Sequence, residues 1–447
     1  MTDASPASPR SDVSVLPPLR TMLAGLVSFE ALVVLYMFAG FYKTDPRFAW
    51  VPVDATALFF ALSVVVGCFI LVFNPICKKG LPLVFAMVCL VTWFLISLTW
   101  SPSRVYGPNK VFYMATLGLW AVIAGALIIA PNPERVRRLF GLLLLLSIWM
   151  GAEALVIYAE TGGTGIDVGS GNYLMLGRIS GLGALIAVAA WLHASSRAAG
   201  WLYLMLLFGL GFVLTIGGGR GPLLATGLAL LIPVALSVRL TTRRILYWRT
   251  LLSVILLLPA LAGGLALYTG ITGDTLGTFK RLERLLAGAA DEFIMSEGRR
   301  AEHYTAAVEL WSQAVPFGHG AGSYPLLTDR PDERSFPHNM FLEVLVEGGV
   351  VGFVFLVALL ATTLRPVSLE RLRRDSQALC AMMLFALVFL DCMISGDLAD
   401  NRVLFMLIGL LALFAVRPIG AAAPAAPPPG LHYGLSNPAR SRAPAPP

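Results

Sequence analysis

A histidine followed at once by an asparagine, in Pro337-His338-Asn339, stands where a polar stretch of roughly seventy residues gives way to an apolar run. Imidazole exchanges a proton near neutral pH, which suits it to take one from an attacking hydroxyl. If a helix opens at residue 339, its positive end favours the neutral, base-competent ring. Asn339 is then placed to cap that helix or to orient a sugar hydroxyl. Glu343 and Glu347 lie four apart, so they share one face of the same helix. Either carboxylate can support the histidine or pair with an arginine.

Arginines are the second set. Arg178 sits in Leu176-Gly177-Arg178-Ile179-Ser180-Gly181 and Arg220 in Gly217-Gly218-Gly219-Arg220-Gly221-Pro222, both near the ends of apolar runs. A charge at membrane depth is costly, which makes function the default expectation for it. Glycines around Arg220 allow close backbone approach and expose N–H groups to an anion. Arg299 and Arg300 join them from the polar stretch, and a guanidinium binds phosphate oxygens as a fork while keeping its charge. Several arginines converging on one face suit a pyrophosphate. The plainer alternatives are snorkelling to lipid headgroups for the first two, and pairing with Glu297 and Glu302 for the others. His303 and His319 read as ordinary loop residues.

The elements that must position these groups are membrane helices. Of 447 residues, 57% are hydrophobic and 13% charged, where soluble chains carry about 25% charged. Spanning runs fall near 21–42, 51–73, 82–100, 111–130, 139–159, 173–195, 201–218, 221–240, 250–268, 339–364, 377–395 and 403–417. The expected fold is an all-α polytopic membrane protein of about twelve helices with one large, partly helical outer loop. Its parts are a cytoplasmic segment 1–20, helices over 21–268, the loop 269–338, three more helices over 339–417, and a flexible cytoplasmic tail 418–447 rich in Ala and Pro. Nothing in the first residues has the apolar core of a signal peptide.

Basic residues set the orientation. Lys78, Lys79, Arg135, Arg137, Arg138, Arg197, Arg239, Arg243, Arg244, Arg249, Arg365, Arg371, Arg373 and Arg374 fall between alternate helices, whereas Lys43, Arg47, Arg104, Lys110 and Arg402 mark the sparser side. The positive-inside rule then puts both termini in the cytoplasm and the large loop on the far side. The net charge of +7 is a topology signal and implies no nucleic-acid partner. Within the loop, Ala301 to Trp311 reads as an amphipathic helix with Tyr304, Ala307, Val308 and Trp311 on one stripe, and Val315 to Ser323 as a Gly- and Pro-punctuated turn. Five scattered cysteines show no ligand spacing, and no metal-ligand cluster, P-loop or dinucleotide fingerprint is visible, so neither metal nor cofactor is expected. Asp391 and Asp397 around Ser395-Gly396 are compatible with an ion path, which leaves a twelve-helix transporter as the alternative from another class. No repeat between halves supports that reading.

These residues resemble the O-antigen ligase and polymerase superfamily of bacterial outer-leaflet glycosyltransferases. Arg300, Tyr304, Pro316, Gly318, Gly320, His338, Asn339, Glu347 and Gly348 match its pattern of an arginine, an aromatic-bearing helix, Pro-x-Gly-x-Gly, and His-Asn opening a helix with Glu-Gly. Gly219-Arg220-Gly221 and Leu98-Thr99-Trp100-Ser101 are similar to two further family segments. The resemblance implies a C-type glycosyltransferase-like fold in the bacterial inner membrane, with its site facing the periplasm. It implies a ligase that passes a glycan from undecaprenyl pyrophosphate to a sugar hydroxyl of lipid A–core, without a metal and with inversion. His338 would be the base, with Arg220, Arg300, Arg178 and Arg299 on the pyrophosphate. Asn339, Glu347, Tyr304, Gly318 and Gly320 would be supporting residues. A polymerase, or an O-oligosaccharyltransferase acting on protein, is the alternative within the superfamily.

Overall fold

The computed structural model describes residues 14–237 and 290–417, apart from 19–20, 23–24, 44, 49, 51–52, 162–165 and 170. The run expected over 250–268, the tail from 418, the start up to residue 13 and the loop's first part, 269–289, lie outside the described residues. Among the described residues, eight helices are long and apolar enough to span a membrane, and three shorter apolar helices accompany them. In chain order, counting α9 of the loop as well, they are α1 (Phe29–Tyr42), α2 (Ala55–Phe73), α3 (Lys78–Ser97), α4 (Tyr106–Ile129), α5 (Pro133–Thr161), α6 (Tyr173–Leu192), α7 (Arg197–Ile216), α8 (Arg220–Leu236), α9 (Ala290–Gln313), α10 (Met340–Leu364), α11 (Ser376–Ser395) and α12 (Arg402–Val416). Each apolar helix falls on a run expected from hydropathy; α1, α8 and α12 are the three short ones.

Side-chain caps mark several starts. Asp54, Asn172, Ser196 and Asp375 each accept a hydrogen bond from an N–H of the first turn of α2, α6, α7 and α11, which satisfies donors with no partner inside the helix. Burial orders the bundle. In its apolar window α6 is 83% buried and α2 only 11%, so α6 is central and α2 faces lipid along nearly its whole length. Small residues let neighbours close up. A Cβ on Gly125 of α4 would lie 2.6 Å from the Met406 carbonyl, and one on Gly409 of α12 would lie 2.5 Å from that of Val122. Those helices therefore cross backbone to backbone.

Around α10 the bundle receives the loop. α3 packs along α10, while α9 lies against the start of α10. The expected amphipathic helix is present within α9, with Ala307 buried and Tyr304 and Trp311 half-buried beside it, but Val308 is 48% exposed and leaves the stripe. One residue past Ala307 turns about 100° around the helix, which carries Val308 off that face.

Candidate active site

The loop from Pro316 to Asn339 is fastened to the bundle at three places. First, α10 is broken at Gly349 (φ 63°, ψ −164°). The break frees main-chain groups, and the loop takes them up. His319 N–H donates to the Val346 carbonyl at 2.8 Å, Gly320 N–H to Glu347 at 2.9 Å, and Val351 N–H to the Pro316 carbonyl at 3.3 Å. Gly318 (φ 72°) faces the break so closely that a Cβ would stand 2.5 Å from Gly349 N. Glycine is the only residue that fits both the dihedral and the space. The indole N–H groups of Trp93 and Trp100 then reach the Gly348 and Gly318 carbonyls at 2.8 and 3.2 Å.

Second, the exit of α3 holds the loop. Ser101 Oγ donates to the Ala321 carbonyl at 2.7 Å, and Ala321 N–H donates to Ser97 Oγ at 3.0 Å. Asp332 accepts from Ser103 Oγ at 2.6 Å and from the N–H groups of Arg104, Val105 and Tyr106 at 2.8, 2.8 and 3.2 Å. Burial pushes this carboxyl up, but the hydroxyl and the three N–H donors outweigh it and hold it below the ordinary carboxylate value. Third, Asn339 caps α10 as expected, accepting from Phe341 and Leu342 N–H at 3.0 and 3.1 Å. Its Nδ2 donates to the Met393 carbonyl at 3.2 Å, and Tyr304 Oη reaches the same carbonyl at 3.5 Å. One oxygen at the end of α11 thus ties α9 and α10 together.

His338 sits directly before that cap in a left-handed backbone conformation, φ 60°, which few residues other than glycine adopt. Its half-buried ring packs against Phe336, with centroids 4.7 Å apart, and against His303 of α9 at 5.7 Å. His303 bonds through Nδ1 to Tyr324 Oη at 2.8 Å and through Nε2 to Arg330 at 3.3 Å. Burial and the adjacent guanidinium hold it below the usual histidine value, against a smaller upward pull from Glu302. Tyr324 is fully buried in the seam between α9 and α10, with Ala307 and Val346. His319 uses Nε2 on the Leu310 carbonyl, and its role is structural.

Beneath lies a closed charge cluster. Lys110 of α4 is fully buried and bonds both Glu343 and Glu347, the latter at 2.7 Å. Glu343 also accepts from Leu398 N–H at 2.9 Å. The two glutamates do share a face, but their partner is a lysine and neither an arginine nor His338. Lys110, which the sequence marks as a loop charge, is a core residue. Asp397 is buried next to this cluster. Burial opposes its charge, yet Lys110 and Arg334, the latter at 2.8 Å, prevail and hold the carboxyl below its usual range.

The four expected arginines are distributed unevenly. Arg178 donates to Asp391 Oδ2 through two nitrogens, at 2.7 and 2.6 Å. Arg220 opens α8, where a Cβ on the next residue, Gly221, would stand 3.3 Å from Asp391 Oδ1. Arg178 and the start of α8 therefore converge on one carboxylate. Asp391 and Asp397 are both ion-paired, which is not the arrangement of a hydrated ion path. Arg299 and Arg300 lie on α9, and their side chains lie outside the described residues. Sequence reasoning undervalued Lys110, His303, Arg330 and Arg334. A lysine directly abutting the apolar run over 111–130 was the available signal for the first; the others acquire their meaning only from contacts across the loop.

Comparison with known proteins adds one family match. Residues 182–357 match the family model described as O-Antigen ligase, a span that takes in Arg220, Gly318, Gly320, His338, Asn339 and Glu347. No curated protein matches the chain. Over that span the chain is similar to the O-antigen ligase family.

Proposed function

We propose that this protein is a ligase of the O-antigen ligase superfamily, moving a glycan from undecaprenyl pyrophosphate to a sugar hydroxyl of lipid A–core at the periplasmic face of the inner membrane. The observation that carries the reading is the placement of His338. Its imidazole stands at the head of a capped helix, on a loop fixed to three other helices, at the end of the bundle where lipid-linked partners meet water. An imidazole nitrogen takes the acceptor's hydroxyl proton as that oxygen attacks the anomeric carbon. The bond from that carbon to the pyrophosphate breaks in the same displacement, so configuration inverts. Arg220 and Arg300, with Arg178 and Arg299 nearby in the sequence pattern, neutralise the charge that builds on the leaving group. Glu347 and Asn339 act by holding the start of α10.

The sidedness draws on the two ends of the bundle. Lys78, Lys79, Arg135, Arg137, Arg138, Arg371, Arg373 and Arg374 all flank helix ends opposite the loop, which favours a cytoplasmic basic end.

Purified protein mixed with undecaprenyl-pyrophosphate-linked glycan and lipid A–core tests this. Capped lipopolysaccharide is expected, and His338→Ala should abolish it while the protein still binds donor. Glycan lengthening on its own lipid carrier would instead identify a polymerase. Because arginines carry the leaving-group charge, EDTA should leave transfer intact; loss restored by Mg²⁺ would refute that assignment.

A further inference from the structure

His303 belongs to no matched motif, yet both of its ring nitrogens are committed. Arginine can only donate, so the contact from Arg330 to Nε2 makes that nitrogen the acceptor and leaves the ring hydrogen on Nδ1. Nδ1–H then donates to Tyr324 Oη. Tyr324 is itself immobile, with no exposed surface and α9 and α10 packed on either side. The ring so fixed meets the His338 ring edge to face, at an interplanar angle of 66°. Phe336 closes the other side at 60°.

We infer that Arg330 and Tyr324 hold His303 as a neutral, Nδ1-protonated imidazole, and that this ring is a positioning residue for His338. The inference rests on the reading of His338 as the base. Its physical content is twofold. The locked ring limits the swing of the His338 side chain, whose backbone already occupies an uncommon conformation. It also keeps a second cation away from a group that must accept a proton, since like charges at this separation oppose one another. The groups facing His303 are Arg330 and Tyr324 from the loop, Glu302 from its own helix, and His338 itself. Burial and Arg330 both act to keep it neutral, in accord with the tautomer that the contacts require.

The test is the pH dependence of transfer in the reconstituted full chain. Arg330 is exposed and not part of a packed core, so Arg330→Met is expected to fold. Without the guanidinium, His303 gains a proton as pH falls and faces His338 as a cation. The acid limb should then steepen from one proton towards two. Between pH 8 and pH 6 the variant should lose about tenfold more rate than the wild type, the size of a one-unit shift. Arg330→Lys, which can still donate, should restore the shallow limb. So should adding His303→Phe to Arg330→Met, at a lower plateau. A uniform loss at every pH would mean that Arg330 is merely structural and would overturn the inference. A raised KM for donor with an unchanged limb would make Arg330 a donor-binding residue and overturn it equally. Activity in His338→Gln would instead defeat the base assignment beneath it.

Discussion

The two ends of the helix bundle use charge to different degrees. At the loop end, cations meet carboxylates from other segments: Lys110 with Glu343 and Glu347, Arg178 with Asp391, Arg334 with Asp397. At the other end, arginines also serve main-chain carbonyls where helices finish. Arg417 donates to Ala130 at the end of α4, Arg371 to Phe414 near the end of α12, and Arg373 to Leu236 at the end of α8. A guanidinium on a helix C-terminus satisfies orphan carbonyls and the negative end of the dipole. There a guanidinium from one element closes the open end of another. The buried carboxylate pairs of the loop end fix one element against another away from water, which is what a site assembled from α3, α4, α9, α10 and α11 requires. Buried ion pairs are thus concentrated at the loop end, while the other end combines capped carbonyls with the pair between Arg135 of α5 and the buried Glu30 of α1.

The contrast can be broken experimentally, starting where the effect is largest. Lys110→Met strands two buried carboxylates and should cost about 3–5 kcal/mol, the usual penalty for removing one partner of a buried pair. It would be read as a fall in denaturation midpoint in detergent, with transfer lost. Adding Glu343→Gln and Glu347→Gln should recover much of that stability; if it does not, Lys110 is holding something other than its partners. Gly349→Ala places a Cβ into the Pro316 carbonyl at a dihedral that alanine disfavours. It should cost about 2–3 kcal/mol and abolish transfer even where the protein survives purification.

Arg417→Ala removes hydrogen bonds to Ala130 and Gln377 and should cost about 1–2 kcal/mol with transfer unchanged. If it inactivated the enzyme as Lys110→Met does, the division between the ends would fall. Asp332→Ala is the smallest, about 1 kcal/mol for a lost cap. Its carboxyl is held below the ordinary value, so its contribution is complete above about pH 4 and fades as pH falls through the folded value. Wild type and variant should therefore converge in stability under acid, and a gap that widened there would show the sign to be wrong.

Hydropathy was sufficient to place the described apolar helices, because a spanning run leaves the backbone no alternative to satisfying itself. The cap at Asn339 and the glycine-punctuated turn were also legible, since both are local. The charge partners were not. Glu343 and Glu347 announce a shared face, but only packing reveals that Lys110 fills the space between them, more than two hundred positions earlier in the chain. His303 was read as an ordinary residue because nothing near it in sequence says that Tyr324, Arg330 and His338 will surround it. Sequence carries periodicity and caps well; it carries the choice of partner poorly.

The fastening of the loop to the exit of α3 joins residues that are 220 or more positions apart, as in Ser101 to Ala321 and Ser103 to Asp332. Consider a chain emerging from the ribosome. Its first four helices are made long before the residues that will seal them, so Ser97, Ser101 and Ser103 remain unsealed through most of translation. The seam cannot exist in a nascent chain that lacks the loop; it closes only once residues 316–339 have been made. A chain stopped short of that point would lack the whole seam between the exit of α3 and the loop.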